Sequence, residues 1–217
     1  MTDEYGDVME DAVELTENAQ ENPLWGYSLS SYKRVGVETT CLTLQDEFNL
    51  NVNFLLYCCW MASEAIKISD AELLQQVKDL RYWDHDVVAP LRQARRALGK
   101  LRVEEAQALK ERVNACELDA EQVFQEEIYA SFTKLNKLPE IMPSSQDVVA
   151  KKKAAVLASV SNKRDLNNRE AEEIAMRNAR FSEIAIYNLD RYVSIFTKAQ
   201  SIVLKKNLMI LVGLLEE

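Results

Sequence analysis

The chain has 217 residues, of which 47% are hydrophobic and 28% are charged, and this balance is typical of a globular chain able to bury a core. This composition excludes a chain that is disordered along its whole length. Only 5 Gly and 4 Pro are present, while long stretches are rich in Ala, Leu, Glu, Lys and Gln. Few turn residues and many strong helix formers predict an all-α protein, a multi-helix bundle of short and long helices with a C-terminal long-helix extension.

The net charge of −9 is distributed unevenly along the chain. Residues 1–24 contain eight acids and no base, whereas residues 148–217 carry a net charge of +4. We therefore interpret residues 1–21 as an acidic flexible arm. Two roles remain open for it: it only solubilises the protein, or it docks on a basic surface and screens that surface until a competitor arrives.

Cysteine usage and the first residues of the chain indicate the compartment. The four Cys residues form no CxxC pair, and two adjacent ones cannot close an ordinary disulfide, so we interpret all four as reduced packing residues. They are Cys41, Cys58, Cys59 and Cys116. The acidic N-terminus does not resemble a secretory signal, and no apolar run approaches the length of a membrane span. We expect a cytoplasmic protein without a membrane span.

Residues 22–62 hold the densest apolar pattern and predict three short helices that share one interior. For the first helix, Asn22 is the predicted N-cap, Pro23 takes the first helical position and Gly36 ends the helix. The apolar positions of the three helices follow helical spacing. They are Trp25, Leu29 and Tyr32; then Val37, Cys41, Leu44 and Phe48; then Val52, Leu55, Leu56, Cys59 and Trp60.

Local start signals predict the helices that follow. Ser69 and Glu72 form a capping-box pattern before an amphipathic helix that runs to Trp83. Asp84 or Asp86 is then predicted to cap a helix that ends at Gly99. Residues 103–138 predict one long helix without Gly or Pro. At two turns of this helix, either of two neighbouring residues could lie on the apolar face: Leu109 or Lys110, and Cys116 or Glu117.

Residues 22–140 resemble a proteobacterial family of uncharacterised small helical proteins. The resemblance rests on an ordered series of residues. These are Trp25, Ser28, Leu29, Tyr32, Gly36, Val37, Cys41, Leu42, Leu44, Gln45, Asp46, Val52, Asn53, Leu55, Leu56 and Trp60, followed by Trp83, Val87, Val88, Pro90, Leu91, Arg92, Arg95, Arg96 and Leu98. The chain departs from the family pattern near Asn49 and Asn51, where Gly and Asp are usual, and continues past residue 145, where most relatives end. The resemblance implies a bacterial, cytoplasmic, helical protein and supplies no catalytic residues.

Residues 141–147 contain Pro and Ser and are predicted to be a linker between the family-like domain and a C-terminal helical extension, residues 148–217. Residues 168–215 predict one helix of over forty residues, or two helices that break near Asn188. Apolar residues occur on more than one face, so the helix is either sandwiched in the fold or exposes a face that binds another molecule. We expect a homo-oligomer, a dimer above all, formed through residues 168–215.

The chain lacks the usual signatures of an enzyme. His85 is the only His, and the five scattered Gly residues cannot form a phosphate-binding loop. The flanking carboxylates of Asp84 and Asp86 point in different directions on a helix and do not complete a metal site. We therefore predict no catalytic residue, no metal ligand and no cofactor.

Two groups of polar residues are candidate sites. The first consists of basic residues that could meet phosphate groups of a nucleic acid or another anion. Its members are Arg92, Arg95, Arg96, Lys100, Arg102, Lys151, Lys152 and Lys153. The second is a candidate polar pocket made of Gln45, Asp46, Asn53 and Trp83. The alternatives are solvated helix faces for the first group, and caps or a buried hydrogen-bond network with Arg92 or Arg96 for the second.

Two functions from different classes follow. The first is a non-enzymatic bacterial regulatory or scaffold protein that acts through self-association and a protein partner, with local basic patches touching DNA if it serves in transcription. The second is a small-ligand-binding protein or enzyme with a polar site around Gln45, Asp46, Asn53 and Arg92. The scarcity of titratable groups suited to catalysis favours the first.

Overall fold

The structure, a computed structural model, describes residues 22–136, 163–196 and 201–216. The regular structure in these residues is entirely helical, which confirms the predicted all-α fold with a long helix in its C-terminal part. The predicted arm, residues 1–21, and the predicted linker, residues 141–147, lie outside the described residues. The helices are α1 (Pro23–Tyr32), α2 (Val37–Phe48), α3 (Val52–Ser63), α4 (Asp70–Asp79), a π-helical segment (Trp83–Val88), α5 (Ala89–Leu98), α6 (Glu104–Asn136), α7 (Lys163–Phe196) and α8 (Ile202–Leu215).

Helix α3 lies at the centre of the bundle. Every side chain from Val52 to Ala62 is buried, because α1, α2, α6 and α7 pack around it. A helix that is apolar on all sides is stable only when it is covered on all sides. The prediction that the first three helices share one interior is confirmed by the single hydrophobic core to which all three contribute.

The start of α1 agrees with the sequence pattern and its end does not. Asn22 Oδ1 accepts hydrogen bonds from the backbone N–H groups of Leu24 and Trp25, and Pro23 occupies the first turn. The helix ends at Tyr32, so the prediction that it extends to Gly36 is wrong. Gly36 has φ of 89° and is the N-cap of α2, where a Cβ atom would lie 3.2 Å from Leu214 Cδ1. Glycine is suited to this position by its backbone conformation and by the close approach of α8.

The capping box before α4 is present, with Ser69 and Glu72 bonded to each other's backbone. The prediction that Asp84 or Asp86 caps a new helix is wrong. The chain is already helical at Tyr82, and the π-helical segment continues directly into α5. Asp84 instead accepts a hydrogen bond of 2.7 Å from Asn51 Nδ2, which joins the segment to the start of α3.

The C-terminal region contains two helices, as one predicted alternative had it, but α7 continues through Asn188 without a break, and α8 begins at Ile202 with Ser201 as its N-cap. Asn188 is fully buried within α7. Helix α7 packs against α3 and α4, and α8 packs against α2 and α7. Both helices therefore contribute to the same core as the first part of the chain.

Candidate functional site

The basic residues of α5 are paired with acids of α6. Arg92 Nε and Nη2 lie 3.1 Å from Glu117 Oε1 and 2.8 Å from Glu121 Oε1, respectively. Arg95 Nε lies 2.5 Å from Glu117 Oε2, so Glu117 bridges both arginines. Its side chain is only 7% exposed. This settles one open position of the apolar face of α6: Glu117 points inward, whereas Cys116 is exposed and is not the packing residue that we predicted.

Desolvation and hydrogen bonding shift the pKa values of different members of this cluster. Burial raises the pKa of the Glu121 carboxyl above its usual range, although the nearby Arg92 opposes that shift. The hydrogen bond to Glu117 raises the pKa of Arg95. Two guanidinium groups face two carboxylates, so the cluster is close to neutral when all four groups are charged. A phosphate that bound Arg92 or Arg95 would have to displace a carboxylate.

The other predicted anion contacts have different surroundings. Arg96 Nη2 lies 2.8 Å from Asp46 Oδ1 in an exposed ion pair that joins α5 to α2. The hydrogen bond from Arg96 lowers the pKa of Asp46. Lys100 and Arg102 are exposed on the turn between α5 and α6. Lys151, Lys152 and Lys153 lie outside the described residues.

The four residues of the predicted polar pocket make separate contacts. Gln45 Nε2 donates to Asp46 Oδ1 at 3.3 Å on the surface, next to Arg96. Asn53 is buried, and its Oδ1 accepts a 2.7 Å hydrogen bond from Gln125 Nε2 of α6. Trp83 is half-buried, and its Nε1 lacks a hydrogen-bond partner. The buried bond of Asn53 is separate from the surface contacts among Gln45, Asp46 and Arg96, so the described contacts do not join these residues in one buried network.

One small cavity lies elsewhere, between α3, α4 and α6. Its volume is about 30 Å³, and Tyr57, Gln76 and Phe132 are among the residues that line it. None of Gln45, Asp46, Asn53 and Trp83 lines this cavity. This volume exceeds the roughly 10–15 Å³ that one bound water needs, and the buried Gln76 Oε1 has no hydrogen-bond partner. This cavity is suited to a bound water.

Asn188 has a structural role that the sequence pattern missed. Its Nδ2 donates to the carbonyl oxygens of Cys58 and Ile66, and its Oδ1 accepts from the N–H of Ile68 at 2.9 Å. The side chain thereby joins α7 to the end of α3 and to the loop before α4. A polar residue within an apolar stripe is the sequence signal for such a buried network.

The outer face of α8 is the largest run of exposed apolar side chains on a single short helix of the described residues. Ile202 is 87% exposed and Met209 is 63% exposed. Val203 and Ile210 are exposed beside them, and so is Phe196 at the end of α7. The opposite side of α8 fills the core through Leu204, Leu208, Leu211, Val212 and Leu215. We call Phe196, Ile202, Val203, Met209 and Ile210 the outer α8 face.

Each of the two predicted alternatives, a helix sandwiched in the fold and a helix with an exposed apolar face, applies to one of the C-terminal helices. In α7, apolar residues from more than one face of the helix are buried between α3 and α8. They include Phe181, Ile184, Leu189, Tyr192 and Val193. In α8, the apolar residues opposite the core-facing side are exposed, among them Ile202 and Met209. Helix α7 is therefore sandwiched in the fold, while α8 exposes a second apolar face.

His85 lies on the surface, with Nδ1 2.7 Å from Asp86 Oδ1. Within residues 22–136, 163–196 and 201–216, no three His, Cys, Asp or Glu side chains are grouped as a metal site. Across the same described part of the chain, no helix is at once long enough and apolar enough to cross a membrane.

Comparison with known proteins finds a family match for the first half of the chain. No curated protein matches the chain, and no solved structure matches it. Residues 23–128, just under half of the chain, match the profile of a family described as "Protein of unknown function (DUF2390)". This range contains α1 to α5, the paired arginines and most of α6, but neither α7 nor α8. The α1–α6 region of this chain is therefore similar to an uncharacterised protein family.

Proposed function

We propose that the protein is a non-enzymatic scaffold or regulatory protein that acts through self-association of its C-terminal helices. One observation carries this proposal: the outer α8 face exposes five large apolar side chains, four of them on the side of α8 that faces away from the core and the fifth, Phe196, at the end of α7. Contiguous apolar patches on a protein surface mark interaction sites. The resemblance to a proteobacterial family supports a bacterial, cytoplasmic setting for this role.

The energetics favour burial of the outer α8 face in a complex. Fully burying a Val, Leu, Ile, Phe or Met side chain contributes about 1.5–3 kcal/mol relative to leaving it exposed. Helix α8 already fills its share of the core through the opposite side, so its folding does not require the outer residues to be apolar. Association of two molecules would supply the missing burial.

The alternative, a small-ligand site around Gln45, Asp46, Asn53 and Arg92, receives less support. Arg92 and Asn53 bond to residues of α6, and Asp46 bonds to Arg96 on the surface. These polar groups bond in separate places, and they do not line one shared cavity. A contact with nucleic acid stays a prediction that now rests chiefly on Lys100, Arg102 and Lys151 to Lys153.

Light scattering during size-exclusion chromatography tests the proposal. We expect the full chain to be a dimer at concentrations on the order of tens of micromolar. The double variant Ile202→Ser and Met209→Ser should be monomeric with an unchanged far-ultraviolet circular dichroism spectrum. The matched control is Leu101→Ser with Val103→Ser, since both residues are about half exposed on the turn between α5 and α6. This control should remain a dimer. A strictly monomeric full chain would overturn the proposal.

A further inference from the structure

We infer that two copies of the chain pair through antiparallel α8 helices, with Gly213 of each copy opposite Lys206 of the other. This inference rests on the proposed self-association and adds its geometry. It starts from a seam on the outside of α8: Ile202, Lys206, Met209 and Gly213 recur at spacings of four, three and four. Such spacing places side chains in one line that faces a partner helix. All four are exposed.

Gly213 provides room for a close approach of the two helices. A Cβ atom added at this position would meet no atom within 4 Å. Glycine within a helix reduces stability relative to alanine, and the fold itself does not need a residue without a side chain here. A long side chain from a second copy would fit over this gap. Lys206 has that length, and its aliphatic stem can lie along an apolar surface while its ammonium group stays in water.

Charge selects the antiparallel arrangement. Both lysines of α8, Lys205 and Lys206, lie in its N-terminal half. A parallel pair would bring the lysines of both copies together and leave the two glycines facing each other across a gap. An antiparallel pair separates the lysines and places each Lys206 over Gly213 of the partner helix, while the last carbonyls of α8 accept from Arg34 of their own copy. Repulsion between lysines and side-chain size therefore both favour the antiparallel direction.

The two most exposed large apolar residues in the described part of the chain also fit the antiparallel direction. Val35 is 94% exposed in the turn before α2, and the neighbouring Gly36 packs against Leu214 at the C-terminal end of α8. Ile202 is 87% exposed at the opposite end of the helix. Reversing one helix against the other brings Ile202 of one copy toward Val35 of the second copy. Both residues then lose their exposure in one contact.

Cross-linking between introduced cysteines tests whether the two α8 helices pair in the antiparallel direction. A background with Cys116→Ser removes the exposed thiol, while the other three cysteines are buried. In the inferred register the two-fold axis passes between Met209 and Ile210, so Met209→Cys should give a covalent dimer with a short bismaleimide. Two copies of Ile202→Cys would lie about 22 Å apart, from about fifteen residues at a rise of 1.5 Å, and should not cross-link. The double variant Val35→Cys with Ile202→Cys should cross-link between copies.

The outcomes separate this inference from the proposed function. A dimer in light scattering that cross-links through Ile202→Cys alone would overturn the antiparallel geometry and leave self-association intact. A monomer would overturn both. Gly213→Leu adds a second measurement: it should raise the unfolding midpoint of the monomer, since glycine is a poor helix former, yet weaken dimerisation about tenfold or more by filling the gap. Unchanged dimerisation of Gly213→Leu would contradict the close approach.

Discussion

Replacement of Asn188 by Leu tests whether one buried amide group holds α7 in place. Leu has the same branching at Cγ and the same number of heavy atoms as Asn, with bulkier methyl groups, so the change removes hydrogen bonds without opening a cavity. Three backbone groups lose their partner: the carbonyl oxygens of Cys58 and Ile66 and the N–H of Ile68, which were bonded at 3.2, 3.0 and 2.9 Å.

The expected loss in the free energy of unfolding depends on how many of these backbone groups remain unpaired. Cys58 lies inside α3, where its carbonyl oxygen keeps the helical hydrogen bond. Ile66 and Ile68 lie in the loop between α3 and α4 and have no helical partner to replace the amide. An unsatisfied buried group costs about 1–3 kcal/mol, so two such groups predict a loss of about 2–6 kcal/mol in the free energy of unfolding.

Urea unfolding followed by circular dichroism measures this loss. The control is Asn207→Leu, at a half-buried position on α8, where a change within about 0.5 kcal/mol is expected. A similarly small effect for Asn188→Leu would refute the reasoning, because it would show that water or a shifted backbone satisfies the loop without the amide.

Four further predictions concern single groups and the acidic arm. Tyr192→Phe keeps the stacking on Phe54 but loses the hydroxyl that accepts from the N–H of Asn51 at 2.9 Å, and urea unfolding should show a loss of about 1–3 kcal/mol. Burial raises the pKa of Glu121, so its contribution to stability is lost as pH rises through the folded-state pKa. The stability of Glu121→Gln relative to the parent should therefore increase as the pH rises above about 4, near the usual pKa of a Glu carboxyl, and a constant difference would contradict the desolvation argument. His85→Gln should change thermal stability by at most about 1 kcal/mol and leave oligomerisation intact, whereas loss of function in a folded variant would reopen the enzyme hypothesis. Removal of residues 1–21 should tighten binding to labelled duplex DNA in fluorescence anisotropy at low salt, with a smaller gain at physiological salt; equal binding at every salt concentration would make the arm a solubilising tail.

Local patterns in the sequence predicted local structure well. The cap at Asn22 and the capping box at Ser69 depend on residues at most three positions away, so their chemistry is visible in a short stretch. Errors arose where a side chain bonds to a distant part of the chain. Asp84 looked like a helix cap, but it bonds to Asn51, 33 positions earlier. Asn188 looked like a helix break, but its partners lie 120 to 130 positions away.

The charge clusters show the same limit. Arg92 and Arg95 appeared to form a basic patch because no acid lies close to them in the chain. Folding of α5 against α6 brings Glu117 and Glu121 onto them from 22 to 29 positions away. The 3.6-residue period of α6 had left Cys116 and Glu117 as equal candidates for its inward face. The arginines across the interface decide between them, and an isolated helix pattern does not contain that information.

The position of α3 explains why the C-terminal helices belong to the fold and are more than an appended association device. The region that resembles the family, residues 23–128, supplies α1, α2 and most of α6, and these cover only part of α3. Helix α7 covers another part, where Tyr192 stacks on Phe54 at a ring distance of 5.6 Å and the Cys58 thiol points to the carbonyl of Asn188.

An apolar helix left open on one side would expose that side to water at a cost of about 25 cal/mol for each Å². In this chain α7 covers that side of α3 within the same molecule. On α8, four exposed apolar side chains remain opposite the side that faces the core. The C-terminal region thus has two separable roles along its length: α7 completes the core, and α8 presents the surface through which we propose that two copies meet.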